Sequence, residues 1–191
     1  MVELTTEKLY SFAAYCQYDD GTEKRYELVD GRLEVVNPPT FRHILIAKYL
    51  ERAIDLEIAR LNLPWLCIRE AGIRTGLRKS RLSDLFVVTQ AQIQTLMDRS
   101  AICETPPLLA IEVVSPESVT RDYRYKRSEY AALGILEYWI VDPIENKVTV
   151  LTLNEGLYDE VVFTGESRII SQQFPELTLT VIQILTDPTT E

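Results

Sequence analysis

Leu108-Leu109-Ala110-Ile111-Glu112-Val113-Val114-Ser115-Pro116 sets one acid in an otherwise apolar run, and the residues on its C-terminal side decide the fold. The run is rich in branched residues and bounded by Pro106-Pro107 and Pro116, which reads as a buried strand. Ser118 or Thr120 caps a helix running to Leu133, Gly134 stops it, and Glu137-Tyr138-Trp139-Ile140-Val141-Asp142-Pro143 is a further strand. Strand, helix and strand in that order predict a crossover between parallel strands of one sheet. A second run, Arg81-Leu82-Ser83-Asp84-Leu85-Phe86-Val87-Val88, also carries a single acid among apolar neighbours. A carboxylate in a buried strand costs on the order of several kcal/mol unless it is paired, hydrogen-bonded or metal-bound. Asp84 and Glu112 therefore need partners.

Working outward, Thr6 to Tyr15 reads as a short amphipathic helix capped by Thr5 or Thr6. Asp30-Gly31 joins two β-rich runs between Arg25 and Val36, the strongest hairpin signal in the chain. From Arg42 to Leu61 the apolar residues Ile46, Ala47, Leu50, Ala53, Ile54, Ile58 and Leu61 recur at helical spacing, and Pro64 comes next. Trp65 to Leu77 and Leu82 to Thr89 read as strands turning through Arg78-Lys79-Ser80. The stretch Ala91 to Thr105 reads as loop plus a short helix. Lys147 to Leu153 and Leu157 to Phe163 form a hairpin through Asn154-Glu155-Gly156, and further strands are expected around Arg168 to Ile170 and Leu177 to Ile182. The expected architecture is α/β: a central mixed β-sheet flanked by helices, with additional antiparallel hairpins on the N- and C-terminal sides. One domain over residues 1–191 is expected, with an N-terminal hairpin (25–36), a core (42–143) and a C-terminal β extension (144–185).

The 191 residues, 46% hydrophobic and 26% charged, have the composition of a globular chain able to bury a core without staples. Cys16, Cys67 and Cys103 lack metal-ligand or redox spacing and read as reduced thiols. There is no signal-like N-terminus and no window of membrane-spanning length, so a cytoplasmic protein is expected. A net charge of −9 argues against a broad footprint for duplex DNA. The cations are nevertheless clustered, at Arg69, Arg74, Arg78, Lys79 and Arg81 and again at Arg121, Arg124, Lys126 and Arg127, which suits either solvated faces or nucleic-acid contact.

Strand alternation places Asp84 with Leu82 and Phe86, and Glu112 with Ala110 and Val114. If the strands are neighbours the carboxylates come close, and like charges at that range raise one pKa unless a cation lies between them. Hard oxygen ligands suit Mg²⁺ or Mn²⁺. Asp122, Lys126 and Tyr130, at i, i+4 and i+8, share one face of the helix that starts just beyond Glu112, so its first turns can reach back over that strand.

Glu27 in Tyr-Glu-Leu-Val-Asp-Gly, His43, Asp84, Ile111 to Pro116, Asp122 with Lys126 and Tyr130, and Gly134 to Pro143 together resemble the Uma-type restriction endonuclease family, over about Thr5 to Tyr158. That family is similar in fold to the PD-(D/E)xK restriction endonuclease-like superfamily. The resemblance implies a metal-dependent endonuclease hydrolysing DNA, with Asp84 and Glu112 as Mg²⁺ or Mn²⁺ ligands and Glu27 approaching the same metal. Ser83 stands where the motif has proline, and Val114 where it has lysine. The resemblance implies that Lys126 takes over the lysine's role, with His43, Asp122 and Tyr130 lining the site. A homodimer through the C-terminal hairpins is expected by analogy. Other readings stay open: His43 as a helix-start hydrogen-bonder, Glu27 as a surface residue, Asp122–Lys126 as a plain helix ion pair, and the whole fold as an inactive binding or assembly module.

Overall fold

The computed structural model describes residues 8–186. Helix α1 (Phe12–Cys16) is shorter than expected and capped by Ser11, whose hydroxyl accepts from Ala14 N–H; the expected caps Thr5 and Thr6 lie outside the described residues. Strands β1 (Arg25–Val29) and β2 (Arg32–Val36) pair antiparallel about Asp30 and Gly31, whose φ values of 50° and 87° make a tight left-handed turn matching strand twist. A Cβ at Gly31 would also meet Tyr10 O at 3.3 Å. Gly31→Ala is expected to destabilise the protein by about 1–2 kcal/mol, the cost of left-handed backbone for a residue with a Cβ. Urea unfolding with an unchanged m-value measures it.

Helix α2 (Phe41–Arg60) starts at Thr40, whose hydroxyl accepts from His43 N–H, and buries Ile46, Ala47, Leu50, Ile54 and Ile58 as the periodicity requires. β3 (Trp65–Gly76) and β4 (Lys79–Thr89) form a long hairpin whose turn falls earlier than expected, at Leu77-Arg78. Helix α3 (Gln90–Gln94) and the two-residue strand β5 (Ile102–Cys103) come next. β6 (Leu109–Val113) leads through a π-helical turn (Arg121–Lys126) into α4 (Arg127–Leu133), which ends at Gly134 with φ 90°. β7 (Glu137–Asp142) then lies parallel to β6, the crossover read from sequence. Thr120 makes no side-chain cap, and the Ser118 hydroxyl accepts instead from Ser115 N–H.

β8 (Lys147–Asn154) and β9 (Leu157–Thr164) complete the sheet, whose order is β2-β1-β4-β6-β7-β8-β9, with β3 on β4 and β5 on β3. The two expected tail strands reduce to a single bridge between Arg168 and Thr180. The β-rich run at 181 instead forms helix α5 (Val181–Leu185), because Thr180 and Gln183 make a reciprocal capping box that satisfies its first N–H groups. α2 and α5 cover one sheet face with Leu85, Val87, Ile111 and Trp139, while the helix bearing Tyr130 covers the other with Phe86, Ala110, Tyr138 and Ile140. All three cysteines are free. No described helix is long and apolar enough to cross a membrane.

Candidate active site

The sheet forks at β4. β1 pairs with it at Ser80, whereas the β6 ladder occupies Leu85 to Val87, leaving Arg81–Asp84 between the two. Backbone groups stranded in such a gap must find other partners. Side chains supply them: Leu82 N–H donates to Glu27 Oε1 (3.1 Å), the Lys126 ammonium donates to Leu82 O (2.8 Å), and Asp84 N–H donates to Glu112 Oε2 (3.3 Å). On the other edge of β4 the β3 ladder skips Glu70, across from Asp84, and Glu70 has φ 57°, left-handed for a non-glycine residue. The acid-bearing part of β4 is thus loosened on both sides.

The β4–β6 register sets Asp84 across from Glu112, on the same pleat. Asp84 Oδ2 accepts from Val113 N–H (2.7 Å), and Oδ1 lies 2.9 Å from His43 Nε2. Glu112 is buried, with Oε1 accepting from the Tyr130 hydroxyl (2.7 Å) and Oε2 from Lys126 (2.7 Å). Lys126 also lies 3.6 Å from Asp122 Oδ1 and 4.0 Å from Glu27 Oε1. The π-helical turn widens the helix here while its Asp122 and Lys126 stay buried. Tyr138 is fully buried and donates its hydroxyl to the Asp122 carbonyl (3.0 Å).

These neighbours shift the site's titrations. Burial pushes the Glu112 carboxyl up to about 8, with the Lys126 charge opposing and the Asp84 and Asp122 charges adding to the rise. Burial likewise raises Asp122. Asp84 goes the other way: burial would raise it, but the hydrogen bond and charge of His43 hold it below its ordinary value. Burial opposes the charged forms of His43 and Lys126, yet the surrounding carboxylates outweigh it and raise both.

Asp84, Glu112, Lys126, Glu27, His43 and Asp122 all line one cleft of about 1090 Å³, and Tyr130 stands behind Glu112. Both oxygens of Glu27 are engaged by protein, Oε1 by Leu82 N–H and Oε2 by Arg81 (2.9 Å). Val114 is core and supplies nothing to the site; Ser83 is buried with its hydroxyl on Leu85 O. The basic cluster at 69–81 is only partly a solvated face. Arg81 is 2% exposed, bridging Glu27 and Glu129, with Glu129 gripped by Nε (2.9 Å) and Nη2 (2.7 Å). No spacing points to that pair, since 48 residues separate its members.

The donor set fits a hard divalent cation. Lys126 lies within 4.0 Å of three carboxylates, Glu27, Glu112 and Asp122, and Asp122 Oδ1, 3.9 Å from Arg121 Nε, is buried with no hydrogen-bond partner. Among the described residues no three His, Cys, Asp or Glu side chains form a ready cage, so an ion on Asp84 and Glu112 would complete its shell with backbone or water oxygens, as Mg²⁺ favours.

A mixed sheet flanked by helices, with paired acids and a helix-borne lysine at its fork, is a restriction endonuclease-like fold. The chain belongs to the Uma2 family, described as "Putative restriction endonuclease", whose sequence model matches residues 12–182. It is similar to the crystal structure of "a putative nuclease belonging to DUF820" from Anabaena variabilis, at 18% identity and a TM-score of 0.76, over 92% of this chain and 97% of that one. A looser likeness, at 10% identity and a TM-score of 0.42, is to the type IIG restriction endonuclease BpuSI, over 78% of this chain and 16% of that one. No curated protein matches.

Proposed function

We propose that the protein is a divalent-metal-dependent endonuclease that hydrolyses DNA phosphodiester bonds, with Mg²⁺ or Mn²⁺ held by Asp84 and Glu112. The observation that carries this reading is the Lys126 ammonium, 2.7 Å from Glu112 Oε2, standing in from a helix for the strand lysine that Val114 replaces. When bound, such an ion activates water and offsets charge on the leaving oxygen. The chain's own residues do the positioning. Val113 N–H and His43 hold the Asp84 carboxylate on two sides, and Tyr130 orients the Glu112 carboxylate from behind. Lys126 sets positive charge beside the reacting phosphate, where preorganised donors contribute most. Glu27, clamped by Arg81 and Leu82 N–H, helps keep that ammonium charged and in place.

Calorimetry with Mn²⁺ tests the assignment. Asp84→Ala and Glu112→Ala are each expected to weaken Mn²⁺ binding by at least about tenfold, as loss of a ligand or its support does, and to abolish plasmid cleavage. Unchanged Mn²⁺ affinity in both would show the site to be misassigned. Tight Mn²⁺ binding with no cleavage of plasmid or single-stranded DNA would instead favour a binding or assembly module, which the net charge of −9 suits.

A further inference from the structure

A second cavity of about 240 Å³ opens beside the cleft and shares Lys24, Arg25 and Leu82 with it. Three tyrosines, Tyr15, Tyr18 and Tyr26, make up much of its remaining wall, with Cys16, Ser100 and Ile102 completing it. The Tyr18 and Tyr26 rings meet edge-on with centroids 5.4 Å apart, and Tyr10 packs edge-on against Tyr18 at 5.3 Å. Two of the rings are held by their hydroxyls, Tyr26 donating to Asp20 (2.6 Å) and Tyr15 to Tyr26 O (2.7 Å). Leu82 ties the two cavities together, because its carbonyl accepts from Lys126 and its N–H donates to Glu27.

Charge is placed where the cavities join. Lys24 is exposed and its ammonium has no ion-pair partner among the described residues, while Arg25 is tied to Glu70. An exposed cation between an aromatic pocket and a phosphate-cleaving site matches how proteins hold single strands, with bases stacked on rings and the backbone on cations. The pocket, at about 240 Å³, is smaller than the roughly 300–1,000 Å³ typical of drug-sized ligand sites, a size that suits one base. The deep burial of Glu112, Asp122 and Lys126 also favours a flexible strand that can enter the cleft.

We infer that this cavity is a nucleobase subsite: an unpaired base of a DNA single strand sits among Tyr15, Tyr18 and Tyr26, and Lys24 holds the phosphate linking it to the nucleotide in the cleft. The inference rests on the nuclease reading for the cleft, but its test reads binding alone. Calorimetry of the full chain in Ca²⁺, with strand integrity checked afterwards, compares oligo-dT of about 12 nucleotides, an abasic strand of equal length and a blunt duplex. Oligo-dT is expected to bind about 5- to 150-fold more tightly than the abasic strand, the range one stacked base contributes. Tyr18→Ala is expected to erase that preference without weakening abasic binding, and Lys24→Ala to weaken both strands. Equal affinity for all three ligands overturns the inference, as does a Tyr18→Ala loss shared equally by oligo-dT and the abasic strand. The abasic comparison uses the unaltered protein, so it decides the matter even if a tyrosine variant fails to fold. Base-dependent binding without cleavage would overturn the catalytic reading alone, and cleavage without base dependence would overturn the subsite alone.

Discussion

Replacing Lys126 with methionine is expected to slow DNA cleavage by about a hundredfold or more, the loss usual when one preorganised charge donor is removed from a reacting site. Methionine keeps most of the buried volume while removing the ammonium that contacts Glu112, Asp122 and Leu82 O. Single-turnover cleavage rates at saturating Mn²⁺ measure the effect, with Mn²⁺ affinity as the control. A near-normal rate would show that Lys126 is structural. The variant is also expected to lose about 3–5 kcal/mol of stability, because breaking a buried ion pair from one side leaves Glu112 without its counter-charge. Rates are therefore to be compared at a temperature where both proteins are folded. Lys126→Arg is not expected to restore activity, since a planar guanidinium cannot replace a compact ammonium between three closely placed acceptors.

A loss of stability of the same size, about 3–5 kcal/mol by urea unfolding, is expected from Arg81→Ala, because it removes the buried counter-charge that Glu27 and Glu129 share. The effect is transmitted to the site, since Glu27 also holds Leu82 N–H and faces Lys126. Glu129 supplies a pH signature. Burial would raise its carboxyl, but the Arg81 hydrogen bond and charge outweigh burial and hold it below its ordinary value. A depressed carboxylate contributes stability that is present above its unfolded pKa and lost as pH falls through the folded one. The wild-type protein therefore loses this contribution on acidification below the ordinary glutamate value of 4.5, and Glu129→Gln is expected to flatten the pH dependence of Tm there. An unaltered acid limb in Glu129→Gln would show that the pair contributes nothing to folding.

Much of the architecture is legible in the sequence because it is local. The Asp30-Gly31 turn, the 3.6-residue period of α2, the stop at Gly134 and the strand–helix–strand crossover each depend on neighbours in sequence. The tail misleads for a local reason as well: the β-rich residues after Thr180 look like a strand until Gln183 is seen as the partner in a capping box. The seven candidate residues also converge, His43 through a direct contact with Asp84 that its place at a helix start does not require.

Arg81 is hidden in the sequence because charge in a strand flanked by other cations reads as solvated surface, and its partners lie 54 and 48 residues away. Glu27 is ambiguous for the same reason: a hairpin acid is buried only if something far away needs it. By itself the sequence determined that two carboxylates stand in buried strands and that a lysine comes after them on a helix, since apolar neighbours and spacing carry that information. Only the tertiary structure decided that β4 forks between β1 and β6. Unpaired backbone in that gap must be satisfied, and the groups that satisfy it, Glu27, Glu112 and Lys126, are the ones gathered at the site.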